Sequence, residues 1–530
     1  MLSLALGALA TVALALPQGE AYTSNAARSV YPPLRPRQVT GSDSFDVLQH
    51  LSGNSPYFNS PGVGLTAALP PGCSVTHATY LVRHSDIYGN DYEYEHVIAP
   101  FLYKLGNFSD KQVFSGNPAL SFLTNWTSPI DDPDVELEKV TETGKKDAAA
   151  LGAIFAQRYT GILGAQGEDS WKIWTAAATR DQDTSTAFAS GFNRSMPNVT
   201  LVVVDEGEGQ FANTLTPHKS CEAFDTSVGS DEEKTFIHTY APKVAARLNS
   251  LVNSSFNWTA DDVFAAQSLC GYDTVIRNMT VSGFCNIFSE SEWLNYEYAN
   301  DLMYHRSLGY GNELAPVLGL PWVSASTRIL SGSANTSAAN AAGKQQLFIS
   351  FTHREEPPFI VTALGLFNST NASMPTDSIN FDRAWRTSEI LPFLANVGLE
   401  RLSCNASATG NGSNTDFVRA LVNAAQVPLP GCTDGPEDSC SLSEFVSFVH
   451  EREQLYGDFV GACGAGNATN ATSTLGLYEG ALPADGAAVQ TVSVALNDSS
   501  PLSAGESGAY KITVGWLASA GVAGLIAALL

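Results

Sequence analysis

Strand-length apolar segments alternate with helical segments through the middle of this chain of 530 residues. The segments 75–82 (VTHATYLV), 172–175 (KIWT) and 346–351 (QLFISF) are typical of buried strands. Segment 145–159 (KKDAAALGAIFAQRY) is typical of an amphipathic helix that begins with polar residues. Strands that alternate with helices form a mainly parallel sheet with helices packed on it. The sequence therefore predicts an α/β fold.

The charge balance excludes one class of partner. The chain has 28 Lys+Arg against 53 Asp+Glu, a formal net charge of −25 at pH 7, and it contains no basic run. Nucleic-acid binding needs a Lys/Arg footprint, so we expect no nucleic-acid partner. An anionic substrate would have to bind in a locally positive pocket of this acidic molecule.

Both ends of the chain are apolar. Residues 1–16 (MLSLALGALATVALAL) predict a signal peptide over 1–21, although the usual basic start is missing; a buried first helix or a membrane anchor is the alternative. The tail 514–530 follows small residues at 503–505 and a polar spacer, which predicts a GPI-anchor signal over 506–530 with attachment near Ser503. The mature protein would then be held at the membrane by a GPI anchor rather than by a C-terminal membrane helix.

Composition divides the remaining chain into three parts. Residues 22–60 are rich in Pro, Ser and Gly and predict an N-terminal surface segment, 61–465 form the globular body, and 466–505 are typical of a glycosylated stalk. Fifteen Asn-x-Ser/Thr sequons predict a secreted glycoprotein. Eight cysteines predict four disulfides, for which spacing alone allows about 105 connectivities. No pair of cysteines has the CxxC spacing of a metal site, so we expect no metal.

Charged side chains follow each predicted strand. Arg83 and His84 end the first strand, Arg180 follows the second, and 353–356 (HREE) ends the third. We expect them to converge, because ligands bind outside the carboxyl ends of the strands in such sheets. Guanidinium groups hold a phosphate dianion, an imidazole attacks phosphorus, and an acid protonates the leaving oxygen. The set together predicts a phosphomonoester site.

Each of these residues alone is weak evidence. A His after an apolar strand is more often structural, and Arg180 could pair with Asp181 or Asp183 at the surface. A Gly-x-Ser-x-Gly elbow and a P-loop are absent from the sequence, which leaves a serine hydrolase and a P-loop enzyme unsupported.

Several segments match one known family in chain order. Segment 69–84 (LPPGCSVTHATYLVRH) resembles the strand that leads into the Arg-His-Gly-x-Arg-x-Pro motif of the histidine acid phosphatases, and in particular of the secreted fungal phytases and acid phosphatases. Arg180 resembles the downstream phosphate-binding Arg, and Phe351-Thr-His353 resembles the segment with the second His of that family. Further similar segments are 188–192 (FASGF), 293–296 (WLNY), 309–312 (GYGN), 363–367 (ALGLF), 418–423 (VRALVN) and 427–432 (VPLPGC).

The resemblance covers roughly 50–465 and implies a phosphoglycerate-mutase-like large α/β domain with a smaller, mostly helical inserted domain. The insertion would lie near 86–170, with further pieces around 205–300. It also implies hydrolysis of a small phosphomonoester without cofactor or metal, through a phosphohistidine on His84, with Arg83, Arg180 and His353 binding the phosphate. The implied disulfides are Cys73–Cys404, Cys221–Cys463, Cys270–Cys285 and Cys432–Cys440.

The chain departs from the family motif at two places. Ile87 and Gly89 stand where the motif has its second Arg and its Pro, and Arg354 stands where the family has its catalytic Asp. We hypothesise that Arg354 supplies the positive charge missing at position 87. Glu355 would then be the proton donor, as in the His-Ala-Glu arrangement of the related multiple inositol polyphosphate phosphatases.

Three alternatives stay open at this point. Glu356 is the second choice for the donor and Asp86 the third. The changed motif is also compatible with a catalytically impaired cell-surface glycoprotein that keeps the phosphatase fold. The sequence does not choose between phytate and simple phosphomonoesters, and it gives no oligomeric state.

Overall fold

The computed structural model describes residues 45–163, 171–192, 199–253, 255–333, 345–368, 373–409, 413–466, 468–479 and 491–493. The predicted signal peptide (1–21) and GPI-anchor signal (506–530) lie outside the described residues, as does most of the predicted stalk. Among the helices of these ranges, none combines the length and the apolar character that a membrane crossing requires.

A mixed sheet of nine strands forms the centre of the described chain. The strands are β1 (Cys73–Arg83), β2 (Trp171–Ala176), β3 (Val199–Val204), β4 (Leu347–Thr352), β5 (Asn396–Cys404), β6 (Thr415–Val422), β7 (Ala425–Val427), β8 (Cys440–Ser441) and β9 (Thr491–Ser493). The three strands predicted from the sequence are confirmed as β1, β2 and β4, each to within two residues at either end.

The sheet is parallel only in its middle. β1, β4, β2 and β3 pair in parallel in that order. β5, β6 and β7 extend one edge by antiparallel pairing, β9 extends the other, and β8 pairs with β6. Asn423 and Ala424 form the two-residue turn between β6 and β7, both with positive φ, and such a turn joins antiparallel strands. The predicted mainly parallel sheet is therefore a parallel centre with antiparallel flanks.

Helices of eight or more residues cover the sheet and form a second layer beside it. They are α1 (Ala99–Asn107), α2 (Glu142–Arg158), α3 (Thr179–Gly191), α4 (Ser230–Leu251), α5 (Ala260–Ile276), α6 (Glu290–Ser307), α7 (Leu314–Ser331), α8 (Glu356–Ala363) and α9 (Leu442–Tyr456). The helix predicted over 145–159 is α2. It begins three residues earlier because the Thr141 side chain accepts a hydrogen bond from Gly144 N and caps it.

Apolar side chains separate into a sheet core and a helical core. Leu151 and Phe155 of α2 pack with Tyr80 of β1 in one cluster. The helical core joins residues of α1, α4, α5 and α6, among them Phe101 and Phe236. α2 lies inside the range 86–170 that the resemblance implies for the insertion, yet its apolar face packs on the sheet.

Part of the predicted N-terminal surface segment is buried. Leu51, Ser52 and Asn54 are all buried, and the backbone N–H of Ser52 donates to the Ser388 hydroxyl. The carbonyl of Ser55 accepts a hydrogen bond from the Phe393 N–H in the loop before β5, and the carbonyl of Gly53 accepts one from Arg83. The prediction of a surface position is therefore wrong for residues 51–56.

All four disulfides implied by the resemblance are confirmed. They are Cys73–Cys404, Cys221–Cys463, Cys270–Cys285 and Cys432–Cys440. The first joins register partners of β1 and β5, and the second ties the loop after β3 to the segment after α9. The described residues contain no free cysteine.

Candidate active site

The charged residues at the strand ends lie close together because β1, β4 and β2 are adjacent parallel strands. Arg83 and Thr352 are register partners at the ends of β1 and β4. His84 and His353, the next residues of the two strands, therefore lie side by side. β2 pairs with β4 on its other side, and Arg180 follows β2 at the start of α3. The convergence expected from the sequence is present.

His84 is held as a neutral imidazole. Its side chain is buried, and Nδ1 lies 2.9 Å from the carbonyl oxygen of Ser85. A carbonyl only accepts hydrogen bonds, so Nδ1 carries a proton, and in the neutral ring Nε2 then keeps its lone pair. Burial, with Arg83 and Arg180 beside the ring, lowers the pKa of His84 well below its ordinary value. This shift favours the neutral ring, in which Nε2 is free of a proton.

Arg83 is a buried cation held from one side. Its Nη1 donates to the carbonyls of Gly53 and Leu391, each at 2.7 Å, and the guanidinium lies 4.6 Å from the ring centre of Phe393. Burial and the nearby Arg354 lower the pKa of Arg83 to about 10, which leaves it charged at acid and neutral pH. Nη2 has no hydrogen-bond partner in the described part of the chain, so it is available to an anion.

Arg180 faces the site from α3 and pairs with Glu138 rather than with Asp181 or Asp183. Nη1 of Arg180 contacts a carboxylate oxygen of Glu138. The Arg180 Nε is buried without a partner among the described residues. A buried, unsatisfied guanidinium N–H beside His84 is a donor that an anionic ligand can satisfy.

His353 carries a positive charge in the same site. Its Nδ1 lies 2.7 Å from an Asp181 oxygen, and its Nε2 lies 3.3 Å from a Glu206 oxygen. Burial alone would lower the pKa of His353, but the two carboxylates raise it to about 10. His353 is thus an imidazolium where His84 is neutral, which suits the first to binding an anion and the second to nucleophilic attack.

Arg354 and Glu355 form an ion pair at the edge of the site. Arg354 Nε donates to Glu355 Oε1 at 3.1 Å. Burial raises the pKa of Glu355, but Arg354, His218 and His353 outweigh it and hold that pKa well below its usual range. Among the charged neighbours of Arg83, Arg354 lowers its pKa most, so Arg354 lies close to Arg83.

The loop after His84 turns Ile87 away from the charged cluster. Ile87 is buried in the helical core and bridges to Val140. The carbonyl of Asp86 accepts hydrogen bonds from both N–H and hydroxyl of Thr141, at 2.9 and 3.2 Å. A Cβ on Gly144 would lie 2.5 Å from that carbonyl, so only glycine lets α2 approach the loop this closely. Position 87 contributes no charge to the site.

The two other acids considered from the sequence, Glu356 and Asp86, are buried. Glu356 is buried, contacts Nδ1 of His218, and accepts a hydrogen bond from the Thr352 hydroxyl at 3.2 Å. Both carboxyl oxygens of Asp86 are buried without a hydrogen-bond partner among the described residues. Burial and the neighbouring Asp147 raise the pKa of Asp86 well above its usual range.

Sequence reasoning missed four residues that shape the site. Asp181 and Glu206 set the charge of His353, Glu138 pairs with Arg180, and His218 contacts Glu356. Asp181 directly follows Arg180, which was a usable signal. The others come from loops whose approach to the strand ends no local pattern indicates.

Two groups of side chains have the composition of metal ligands. Asp181, Glu206 and His353 form one group, and His218, Glu355 and Glu356 form the other. Cations of the protein already balance these carboxylates: Lys219 pairs with Glu206 and Arg354 pairs with Glu355. The charges of the site are therefore compensated by its own side chains.

Comparison with known proteins identifies the family. The family model for the histidine phosphatase superfamily (branch 2) matches residues 75–423. An acid phosphatase of Komagataella pastoris is 30% identical over 437 residues, 81% of this chain and 89% of that protein. A phytase of Candida albicans is 28% identical over 451 residues, 82% of this chain and 91% of that protein. The chain therefore belongs to the histidine phosphatase superfamily, a family of enzymes, and within it to branch 2.

A solved structure shows the same fold. The phytase from D. castellii superposes with a TM-score of 0.70 at 24% identity, over 84% of this chain and 93% of that one. The resemblance to the histidine acid phosphatases and the α/β class expected from the sequence are thus confirmed.

Proposed function

We propose that this protein is a secreted or cell-surface acid phosphatase that hydrolyses phosphomonoesters through a phosphohistidine on His84. The observation that supports this most is the pairing of a neutral His84 with a cationic His353 between Arg83 and Arg180. One imidazole attacks and the cations stabilise the phosphate oxygens. The named activities of the relatives, acid phosphatase and phytase, agree with this reaction.

The reaction has two steps. Nε2 of His84 attacks phosphorus in line, an N–P bond forms, and the P–O bond to the alcohol breaks. Arg83, Arg180 and His353 bind the non-bridging oxygens. Glu355, which rests as a carboxylate and must first gain a proton, gives that proton to the departing oxygen. Water then attacks the phosphohistidine and releases inorganic phosphate, which restores His84. Neither step needs a cofactor.

We expect high activity in acid solution. His84 stays unprotonated because its pKa is well below the ordinary value, and His353 stays protonated because its pKa is about 10. The departing alcohol still needs a proton, so turnover falls as pH rises. A pH profile of kcat/KM measured with EDTA present checks this. An alkaline optimum that requires added zinc would contradict the mechanism.

Arg354→Ala and Glu355→Gln test the proposed exchange of roles. A charge-assisted contact contributes about 1.5–3 kcal/mol, so Arg354→Ala should lower kcat/KM roughly 10- to 150-fold. Glu355→Gln should lower it roughly 100-fold for an alkyl phosphate and much less for p-nitrophenyl phosphate, whose leaving group departs without a proton. Near-wild-type turnover of both variants on the alkyl phosphate would overturn this assignment.

The alternative is a catalytically impaired glycoprotein, favoured by Ile87 and Arg354 at two motif positions. Trapping of radioactive phosphate on the wild-type protein from a labelled phosphomonoester decides between the two. A labelled protein supports the enzyme, and an unlabelled protein without turnover supports the alternative.

For the substrate we propose small phosphomonoesters rather than phytate. Arg180 and Arg354 are each paired with a carboxylate, Glu138 and Glu355. Little uncompensated positive charge is left for a molecule with many phosphates. Relative turnover of phytate and of glycerol 2-phosphate tests this choice.

Secretion, glycosylation and the GPI anchor are part of the proposal. Every sequon asparagine within the described residues is exposed: Asn107, Asn125, Asn253, Asn257, Asn278, Asn368, Asn405 and Asn470. Exposure at all of them is what sugar attachment requires. Release of the protein from cells by a phosphatidylinositol-specific phospholipase C tests the anchor.

A further inference from the structure

His218 borders the phosphate site but has no part in the mechanism above. It lies in the short 3-10 turn Pro217–Ser220, immediately before Cys221. The disulfide between Cys221 and Cys463 fixes that turn to the body of the protein. The ring centre of His218 lies 5.9 Å from that of His353.

A buried carboxylate holds this ring. Nδ1 of His218 contacts Oε1 of Glu356, whose side chain is only 3% exposed. The other Glu356 oxygen accepts a hydrogen bond from the Thr352 hydroxyl. A carboxylate that binds one imidazole nitrogen fixes the ring and leaves the second nitrogen to exchange a proton. That second nitrogen, Nε2, makes no hydrogen bond within the described ranges of the chain.

Glu355 lies next to this pair. Polar atoms of His218, Glu355 and Glu356 all lie within 4.8 Å of one another, a separation that a direct contact or one water spans. Glu355 rests as a carboxylate because of its ion pair with Arg354. A carboxylate cannot protonate a departing alcohol, so a donor role for Glu355 needs a proton source beside it.

We propose that His218, positioned by Glu356, is the proton relay that protonates Glu355. This proposal rests on the phosphatase function proposed above. When the substrate binds, its phosphate draws the positive charge of Arg354 and His353 away from Glu355. The proton on Nε2 of His218 then moves to Glu355 and on to the departing oxygen as the P–O bond breaks. In the second step the attacking water gives its proton to Glu355, which returns it to His218, so protons balance over one turnover.

Few other groups compete for this role. The charged and titratable groups that lie near His218 include Glu356, Glu355, His353 and, on its own turn, Lys219. Lys219 is engaged by Glu206, and His353 is engaged by two carboxylates. An apolar ring, that of Phe224, also lies near His218, at 6.0 Å between ring centres.

The test compares leaving groups in variants of the full chain, with EDTA present. His218→Asn keeps a polar group beside Glu356 but cannot carry a proton. We expect its kcat/KM, which reports the steps through alcohol departure, to fall roughly 100-fold for glycerol 2-phosphate and less than about 5-fold for p-nitrophenyl phosphate. Added imidazole should restore at least about 10-fold to His218→Ala on glycerol 2-phosphate. His450→Asn, an exposed histidine of α9, is the matched control and should behave as wild type in every assay.

Two results would overturn the relay: wild-type kcat/KM of His218→Asn on glycerol 2-phosphate, or an equal loss on both substrates without imidazole rescue. The second result would show a structural role only. Trapping of phosphate on the wild-type protein separates this outcome from failure of the proposed function. If the wild-type protein forms no phosphohistidine, the phosphatase proposal fails; if it does and His218→Asn acts as wild type, only the relay fails.

Discussion

We expect replacement of His84 by alanine to lower kcat for phosphomonoesters by at least about 10,000-fold, because the proposed mechanism forms its phosphohistidine on this side chain. In the proposed mechanism the contact of Nδ1 with Ser85 leaves Nε2 for the attack on phosphorus. Without the ring, the cations still bind the phosphate but no group accepts the phosphoryl group. Two measurements check this result: steady-state turnover of p-nitrophenyl phosphate, and acid-labile radioactive phosphate retained by the quenched enzyme. Both should disappear together.

His77→Gln is the control for this experiment. His77 lies on β1 as well, seven residues before His84 and away from the site, beside Arg401. This variant should keep both turnover and the trapped phosphate. A phosphoenzyme that persists in His84→Ala would show that a different side chain is the nucleophile, and the assignment of His84 would be wrong.

The parallel centre of the sheet could be predicted from the sequence, and the antiparallel flank could not. β2, β4 and the second half of β1 are largely apolar, because both of their faces are buried. β5 and β6 contain charged residues in their middle, Glu400 and Arg419, which interrupt the apolar pattern. These two are register partners, and each neutralises the other inside the protein. A local pattern cannot show that a buried charge has its counter-charge on another strand.

The same limit applies to the site. Arg83, His84, Arg180 and His353 could be predicted because each follows a strand and strand ends converge. Glu138, Glu206 and His218 could not, since loops of different parts of the chain deliver them. For His218, the disulfide from Cys221 to Cys463 sets the position across 242 residues of sequence. The family resemblance supplied that pairing, but the resemblance carried no role for the histidine three residues before it.

The second large effect that we expect is a loss of stability when the buried carboxylate of Glu400 is removed. Glu400 is fully buried; its Oε1 accepts from Arg158 Nη2 at 2.6 Å, and its Oε2 accepts from Arg419 Nε at 2.8 Å. Tyr159 also contacts the carboxylate. Burial raises the pKa of Glu400, but Arg158 and Arg419 outweigh it and lower that pKa to about 2. Removing this one negative charge takes the counter-charge from the buried Arg419 and from Arg158, whose side chain is 10% exposed.

Glu400→Gln should therefore lower the free energy of unfolding by about 3–5 kcal/mol at about pH 5, the cost of breaking a buried ion pair from one side. Urea unfolding followed by tryptophan fluorescence measures the difference. The folded pKa lies below the value near 4.3 of an unfolded Glu, so this stabilisation is complete above that value and is lost as pH falls towards 2. The difference in free energy of unfolding between wild type and variant should thus be smaller at about pH 2.5. Glu444→Gln, at an exposed position of α9, is the control and should have the wild-type free energy of unfolding at both pH values. An unchanged stability of Glu400→Gln would mean that the buried carboxylate contributes nothing to holding β5 against β6 and α2.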